Sequence, residues 1–474
     1  MKPTLLLLSL TAVSQADTAI TIYNQNLATI RESIGLTLGE GISSATFENA
    51  TSQVMPDSVV LRDPSGEHQF SILEQSYRND PVSPELLLSL NEGKTIDFRA
   101  LYPDGKVEII PGKIIRSGYV PNGQAQSPII EVDGKIRFSL PGEPLFPSLG
   151  TDSVLKPTLS WQIHSREKAE FPAQLSYLSH GMSWQATYNL VAPEEGETVT
   201  LTGWITVENN SGTTFTDATV KLVAGDVNMQ PKPEQLRLRK MESFALSDSS
   251  PGEVSQKAFD DFHLYSLPRP LTLHDKETKQ VEFLRSPEVT AVKNYIYDPI
   301  SMYRFQGGSG IQTQPIEGQQ FPKDVAIYWE FKNSEENGLG MPLPAGNMRF
   351  YREDSDDSNL EFVGENSIDH TPKNETVRVY TGNAFDLVGE RKITDYQLNE
   401  RQKWIRESVT LTLKNRSELP KTITVREPLW RGTNWNIENP SHEFEKTDSN
   451  TIEFTVDLAP DEEKDVTFTS HYSW

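Results

Sequence analysis

Val199-Thr200-Leu201-Thr202-Gly203-Trp204-Ile205-Thr206-Val207 alternates without a break. Val199, Leu201, Ile205 and Val207 fall on one side of an extended chain, and the threonines fall on the other. An amphipathic helix would instead place its apolar residues three and four apart, so the period of two predicts a strand with one buried face. Ala173–Leu178, Trp184–Leu190 and Ala218–Val223 carry the same period. The stretch from Leu159 to Val227 therefore predicts half of a β-sandwich.

The pattern continues toward the N-terminus in shorter pieces. Ala19–Tyr23 and Leu27–Arg31 flank Asn24-Gln25-Asn26 as in a hairpin, and Val59–Leu61 and Phe70–Leu73 follow. Ser83-Pro84-Glu85 opens one short helix. Ser83 can cap it, Pro84 suits its first turn, Glu85 complements its dipole, and Gly93 ends it. Short strands then crowd the chain between turns at Pro103-Asp104-Gly105, Pro111-Gly112 and Asp133-Gly134, which predicts a small SH3-like barrel. Beyond Gln230 the composition turns polar and proline-rich as far as Ser255, as in a linker, and Gly307–Gly310 marks another flexible stretch. Three segments then repeat weakly: Ile205–Ser211, Tyr328–Ser334 and Leu411–Ser417 each run a strand into an Asn and a polar turn. Asn tolerates the left-handed conformation and bonds to its own backbone, which suits a strand exit.

The expected fold class is all-β and multi-domain, with immunoglobulin-like β-sandwiches, a small SH3-like barrel and few short helices. The expected divisions are a signal peptide at 1–16, a sandwich segment at 17–80, the barrel at 81–150, a sandwich segment at 151–228, a linker with a hairpin at 229–320, a sandwich segment at 321–401 and a compact C-terminal sandwich at 402–474.

The N-terminus reads as an export signal. Lys2 precedes the apolar run Leu5–Leu10, and Ser14-Gln15-Ala16 predicts cleavage between Ala16 and Asp17. The run is shorter than the roughly 20 residues of a membrane-spanning helix. The chain has no cysteine, which removes disulfides, thiolate chemistry, cysteine-based metal sites and a lipid anchor on cysteine. A net charge of −23 disfavours nucleic acid and anionic lipid as partners. The expected location is the periplasm or the exterior, with no transmembrane helix.

Ala384-Phe385-Asp386, the run Gly338–Gly346 followed by Arg349-Phe350-Tyr351, and His370-Thr371-Pro372 resemble a family of exported bacterial proteins. Tyr177–Trp184, Val223–Val227 and Tyr472-Ser473-Trp474 add to the likeness. The family is catalogued only as domain of unknown function 4139, and the resemblance runs from about Ala169 to Trp474. It implies an extracytoplasmic β-protein and carries no activity or catalytic residues.

Few chemical signatures stand out. There is no G-x-S-x-G elbow, phosphate loop or dinucleotide fingerprint, and the eight histidines are isolated. His370, Asp386, Glu390 and Arg391 form the best catalytic grouping, since His and carboxylates move protons and Arg391 can bind an anion. The competing reading is an ion-paired turn cluster. Asp354, Asp356 and Ser358 offer oxygens at alternate positions, with Glu365 where the distal ligand of a calcium loop belongs, but Asn359 replaces the required glycine. A solvated acidic turn explains the same residues. No cofactor is expected. The leading expectation is a non-enzymatic cell-envelope scaffold that binds an envelope protein or a glycan. The alternatives are a glycan or peptide hydrolase with carboxylates or His gathered between domains, and a glycan-binding module.

Overall fold

The computed structural model describes residues 18–79, 82–120, 124, 126–147, 149, 154–193, 196, 198–225, 255–259, 262–300, 311–314, 320–354, 356–357 and 359–474. The cleavage site at Ala16 and Asp17, the polar stretch from Gln230 to residue 254, Gly307–Gly310 and Ser358 lie outside them. The described chain is built almost wholly of strands, in several sheets, with one α-helix, as an all-β multi-domain protein should be. It divides into two compact units. One comprises Met1–Ser183, Glu208–Leu222 and Arg269–Thr278, and the other comprises Trp184–Val207, Val223–Pro268 and Lys279–Trp474.

In the first unit, β1 (Ala19–Tyr23) and β2 (Leu27–Leu38) form the expected hairpin, with Asn26 at a φ of 54°. β3 (Gly41–Glu48), β4 (Val60–Arg62) and β5 (Phe70–Arg78) follow. Then comes α1 (Pro84–Leu90), capped by the Ser83 hydroxyl, which accepts from the Leu86 amide at 3.1 Å. β6 (Thr95–Leu101), β7 (Val107–Arg116), β8 (Ile129–Val132), β9 (Lys135–Arg137) and β10 (Glu143–Leu145) make a five-stranded sheet in the order β10-β6-β7-β8-β9. Its core is Leu88, Ile96, Phe98, Ile114 and Ile130.

The Pro111-Gly112 turn is a correction, because both residues lie inside β7. Pro111 precedes the start of the pairing with β8 at Lys113, so its missing N–H costs no ladder bond there. Gly112 faces the ring of Phe98, which would stand 2.8 Å from an added Cβ. The glycine admits an aromatic ring and does not reverse the chain.

β11 (Thr158–Ser165) lies between β3 and β5 in a three-stranded sheet, and β12 (Ala169–Ser179) pairs with β2 over eleven residues. The chain then runs through β13 (Met182–Ala192), β14 (Thr198–Asn209), β15 (Phe215–Ala224), β16 (Ser255–Phe259), β17 (Phe262–Ser266) and β18 (Leu271–Leu273). Of these, β15 and β18 belong with β1, β2, β12 and β4, in the order β15-β1-β2-β12-β4 with β18 on β15.

The second unit holds a long sheet formed with β19 (Glu277–Tyr297), β20 (Asp324–Lys332), β21 (Gly346–Glu353), β22 (Leu360–Ile368), β23 (Thr376–Asn399) and β24 (Trp404–Asn415). β25 (Lys421–Pro428), β26 (Trp435–Glu438), β27 (Glu445–Lys446), β28 (Thr451–Leu458) and β29 (Glu463–Ser473) complete it. The alternating residues of β24, β25, β28 and β29 fill one core, including Leu411, Ile423, Val425, Phe454, Val466 and Phe468. Trp474 ends β29 by donating its amide to the Lys403 carbonyl at 3.1 Å.

The weak repeat has a physical basis, though a different one from the expected left-handed backbone. Asn209, Asn333 and Asn415 are buried, and none has a positive φ. Each side-chain amide instead donates to three backbone carbonyls. Asn209 reaches Thr213, Leu273 and His274 at 2.9, 3.2 and 3.0 Å. Asn333 reaches Met341, Thr371 and Pro372 at 2.8, 3.3 and 3.0 Å. Asn415 reaches Leu419, Leu458 and Ala459 at 2.8, 3.4 and 3.1 Å. The left-handed residues lie in the turns these amides hold, at Lys276, Asn374 and Asp461. One amide at the end of a strand thus satisfies carbonyls that the turn leaves unpaired.

Candidate functional site

The four grouped residues are not one site. Glu390 and Arg391 are neighbours on β23 and so point to opposite faces. Glu390 pairs with Lys323 at 2.9 Å and Lys414 at 3.7 Å. Its carboxyl lies below the usual range, chiefly through the hydrogen bond from Lys323. Arg391 is buried against Glu427, at 2.7 Å from Nη2 to Oε1. Asp386 is exposed, and its backbone carbonyl accepts from the Arg416 amide at 2.8 Å. His370 is exposed, and its Nδ1 accepts from the Ala345 amide at 3.0 Å. That contact helps pin the Gly338–Gly346 run, which also receives the Tyr265 hydroxyl on the Pro342 carbonyl at 3.0 Å and the Tyr188 hydroxyl on the Pro344 carbonyl at 2.7 Å.

The acidic loop between β21 and β22 is closed by its own hydrogen bonds. The Asp356 amide donates to Asp354 Oδ1 at 2.8 Å, and the Asn359 amide donates to Asp357 Oδ1 at 3.0 Å. Glu365 lies on β22 opposite Arg349 and pairs with it at 2.8 Å. Among the described residues, no three His, Asp or Glu side chains gather closely enough to hold a metal ion. Trp161, Trp184 and Trp329 are buried, while Trp204, Trp430 and Trp435 are half-buried.

A second buried ion pair neighbours the first. Arg431 meets Glu407 at 2.8 Å and donates through Nη1 to the carbonyls of Gln312 and Gln314 at 2.9 and 2.8 Å. Burial raises the Glu427 carboxyl, against the lowering pull of Arg391. Arg391, Glu407 and Glu427 lie on β23, β24 and β25, and Arg431 follows β25.

One concavity lies in the first unit, with a volume of about 690 Å³. β2 contributes Glu32 to it, and β3 and its exit contribute Phe47, Glu48 and Asn49. Lys156 and Pro157 lead into β11, and Thr213, Thr214, Phe215 and Thr216 open β15. Thr18 lines another side, beside the start of β1.

Glu32 was missed by the sequence reading, which ended its strand at Arg31. β2 continues to Leu38 and buries Ala28, Ile30, Leu36 and Leu38. Glu32 shares their parity, so its carboxyl points the way the apolar side chains point. Burial pushes its pKa up to about 7, and Tyr177 opposes the rise in part. Among the described residues the buried Tyr177 hydroxyl makes no hydrogen bond of good geometry, so its contact with Glu32 is a weak one. A carboxyl placed this way both donates and accepts near neutral pH.

Of the polar groups that line the cavity, the Thr213 and Thr214 hydroxyls are held by backbone groups. The Thr213 hydroxyl donates to the Ala50 carbonyl at 3.1 Å, and the Thr214 hydroxyl accepts from the Asp275 amide at 3.1 Å. Lys156 Nζ donates to Asn49 Oδ1 at 2.7 Å.

The chain belongs to the family described as Domain of unknown function (DUF4139), whose model matches residues 173–474. No curated protein matches the chain. Glu32, Phe47, Glu48 and Lys156 all precede the matched segment.

Proposed function

We propose that the protein is an exported cell-envelope interaction protein that offers β-sheet surfaces to a partner. The observation that carries this reading is the outer face of the five-stranded sheet. Leu101 pairs across from Val107, and Arg99 across from Ile109, on the face opposite Phe98 and Ile114. Leu101, Val107, Ile109 and Ile136 are 68, 50, 50 and 54% exposed. A strand buried on one face normally turns polar residues to water on the other, and exposed apolar side chains there, with Leu101, Val107 and Ile109 adjoining, mark a contact surface. β9 and β10 end this sheet, so each has a side to which an added strand can pair. The dispersal of His370, Asp386, Glu390 and Arg391 into separate contacts supports the non-enzymatic reading over a hydrolase built on them. The order of charge, apolar run and small residues at the N-terminus supports export, with the mature chain beginning at Asp17.

A photo-crosslinking residue at Ile109 tests this in cells. A discrete adduct is expected in the envelope fraction, on a chain that begins at Asp17, and it should vanish when Leu101 and Val107 are both changed to lysine. An adduct-free Ile109, or a chain retained in the cytoplasm, refutes the proposal.

A further inference from the structure

We propose that the cavity of the first unit is a saccharide-binding site, in which Glu32 and Glu48 accept hydrogen bonds from the hydroxyl or amino groups of a neutral or amino sugar. This deepens the interaction reading by naming a glycan as a partner, and it can fail on its own.

The shape and lining both fit. About 690 Å³ lies within the range of small-molecule pockets. A sugar ring carries many hydroxyls and weakly apolar C–H faces, so its site needs dense acceptors, small hydroxyl groups and an aromatic surface. Glu32, Glu48 and Asn49 supply acceptors. Thr214 and Thr216 are exposed and supply hydroxyls, and the Thr214 hydroxyl, which accepts from the Asp275 amide, keeps its proton to donate. Phe47 is half-buried and lines the cavity, so it brings an aromatic residue to the site.

The charge balance selects the sugar. Two carboxylates and one ammonium line the cavity, and that ammonium is already bonded to Asn49. Uronic acids are therefore disfavoured, whereas an amino sugar gains a charge-assisted contact. The preorganised backbone contacts of Thr213 and Thr214 keep the ordering cost of binding low. Glu32 stands at the cavity wall with its carboxyl partly protected from water, where a hydrogen bond to a ligand is stronger than at an open surface.

Calorimetric titration of the full chain with chitotetraose, its fully deacetylated form and tetragalacturonate decides the matter. Saturable binding of one or both of the first two is expected, with none for the uronate. Glu48→Gln and Phe47→Ala should each weaken it by at least about ten-fold while the thermal unfolding profile is kept. Glu32→Gln should weaken the deacetylated sugar more than chitotetraose. Ile109→Lys, on a different sheet, should leave binding unchanged, so the crosslinking result stays separate. No binding of any probe, preference for the uronate, or binding indifferent to Glu32→Gln and Glu48→Gln overturns the assignment.

Discussion

Glu32 shows how one residue can break a pattern without ending the element. Along β2 the inward positions read Ala28, Ile30, Glu32, Ile34, Leu36 and Leu38. Arg31-Glu32-Ser33 looks like a strand exit when composition is weighed, yet the parity of the apolar residues is unchanged across it. That parity was a legible signal. What the sequence could not show is that a cavity lies against this one position, because its walls come from β3, the approach to β11 and the start of β15. The burial of Glu32 has a measurable cost. Its folded pKa of about 7 exceeds the ordinary 4.5, so the folded state holds the proton more tightly. Below about pH 4.5 both states are protonated and nothing is lost. Stability then falls as pH rises toward 7, and the full cost, roughly 3 kcal/mol at most, is present above it. Tyr177 faces the carboxyl from β12 and Tyr77 stands near that phenol, while Glu48 and Lys156 share the cavity. None of the four offers Glu32 a close cationic partner. Urea unfolding should therefore find Glu32→Gln more stable than the wild type at about pH 8, by up to roughly 3 kcal/mol, with little difference at about pH 4. Equal curves at both values contradict a buried, uncompensated carboxyl.

At the scale of elements, the strands were legible and their partners were not. Period-two alternation located β12, β13, β14, β24 and β29, because each buries mainly one face. The side-chain bonds that fasten strand to turn carry no such period. Asn209, Asn333 and Asn415 left a faint repeat because each performs the same task, but the carbonyls they bind lie up to 65 residues away. The buried pairs are more hidden still, since Arg391 on β23 and Glu427 on β25 read separately as surface charges. Their energetics follow from desolvation. Arg391→Met leaves Glu427 buried without its cation, and Glu427→Leu strands the guanidinium, so each should cost about 3–5 kcal/mol. Arg391 Nη1 already lacks a hydrogen-bond partner among the described residues. The double variant removes that deficit along with both charges, and should fall within about 2 kcal/mol of the wild type. A double-mutant cycle by chemical unfolding measures this coupling. The loss in Arg391→Met should also ease as pH falls, because the raised Glu427 carboxyl then takes up a proton.

At the scale of the whole molecule, family boundary and structural boundary disagree. The family match begins at residue 173, inside β12, which runs Ala169–Ser179. Sequence likeness follows the longer alternating strands of the C-terminal two thirds, whereas the fold of the first unit draws on 1–183, 208–222 and 269–278 together. β12 pairs with β2 from Ala169–Leu38 to Ser179–Ala28, and with β4 through Gln174, Leu175 and Ser176. β15 neighbours β1, and the Thr219 amide donates to the Thr18 carbonyl at 2.9 Å. A fragment of residues 173–474 would lose β1, β2 and β4 together. Both edges of β12 would be unpaired, and Ala173, Leu175 and Tyr177, all buried in the full chain, would lose the strand that covers them. Open backbone edges beside exposed apolar side chains favour association between chains. The second unit keeps its own core around Leu411, Ile423, Phe454 and Phe468, so it should stay folded in the same fragment. The expected result is thus a chain with a cooperative unfolding transition from the second unit, protected amides in β24 and β29, and rapid hydrogen exchange in β12 and β15. It should also self-associate, and a co-expressed segment of residues 18–172 should suppress this. A monomeric fragment with β12 protected would mean that the register with β2 is dispensable, and that the matched region is an autonomous domain after all.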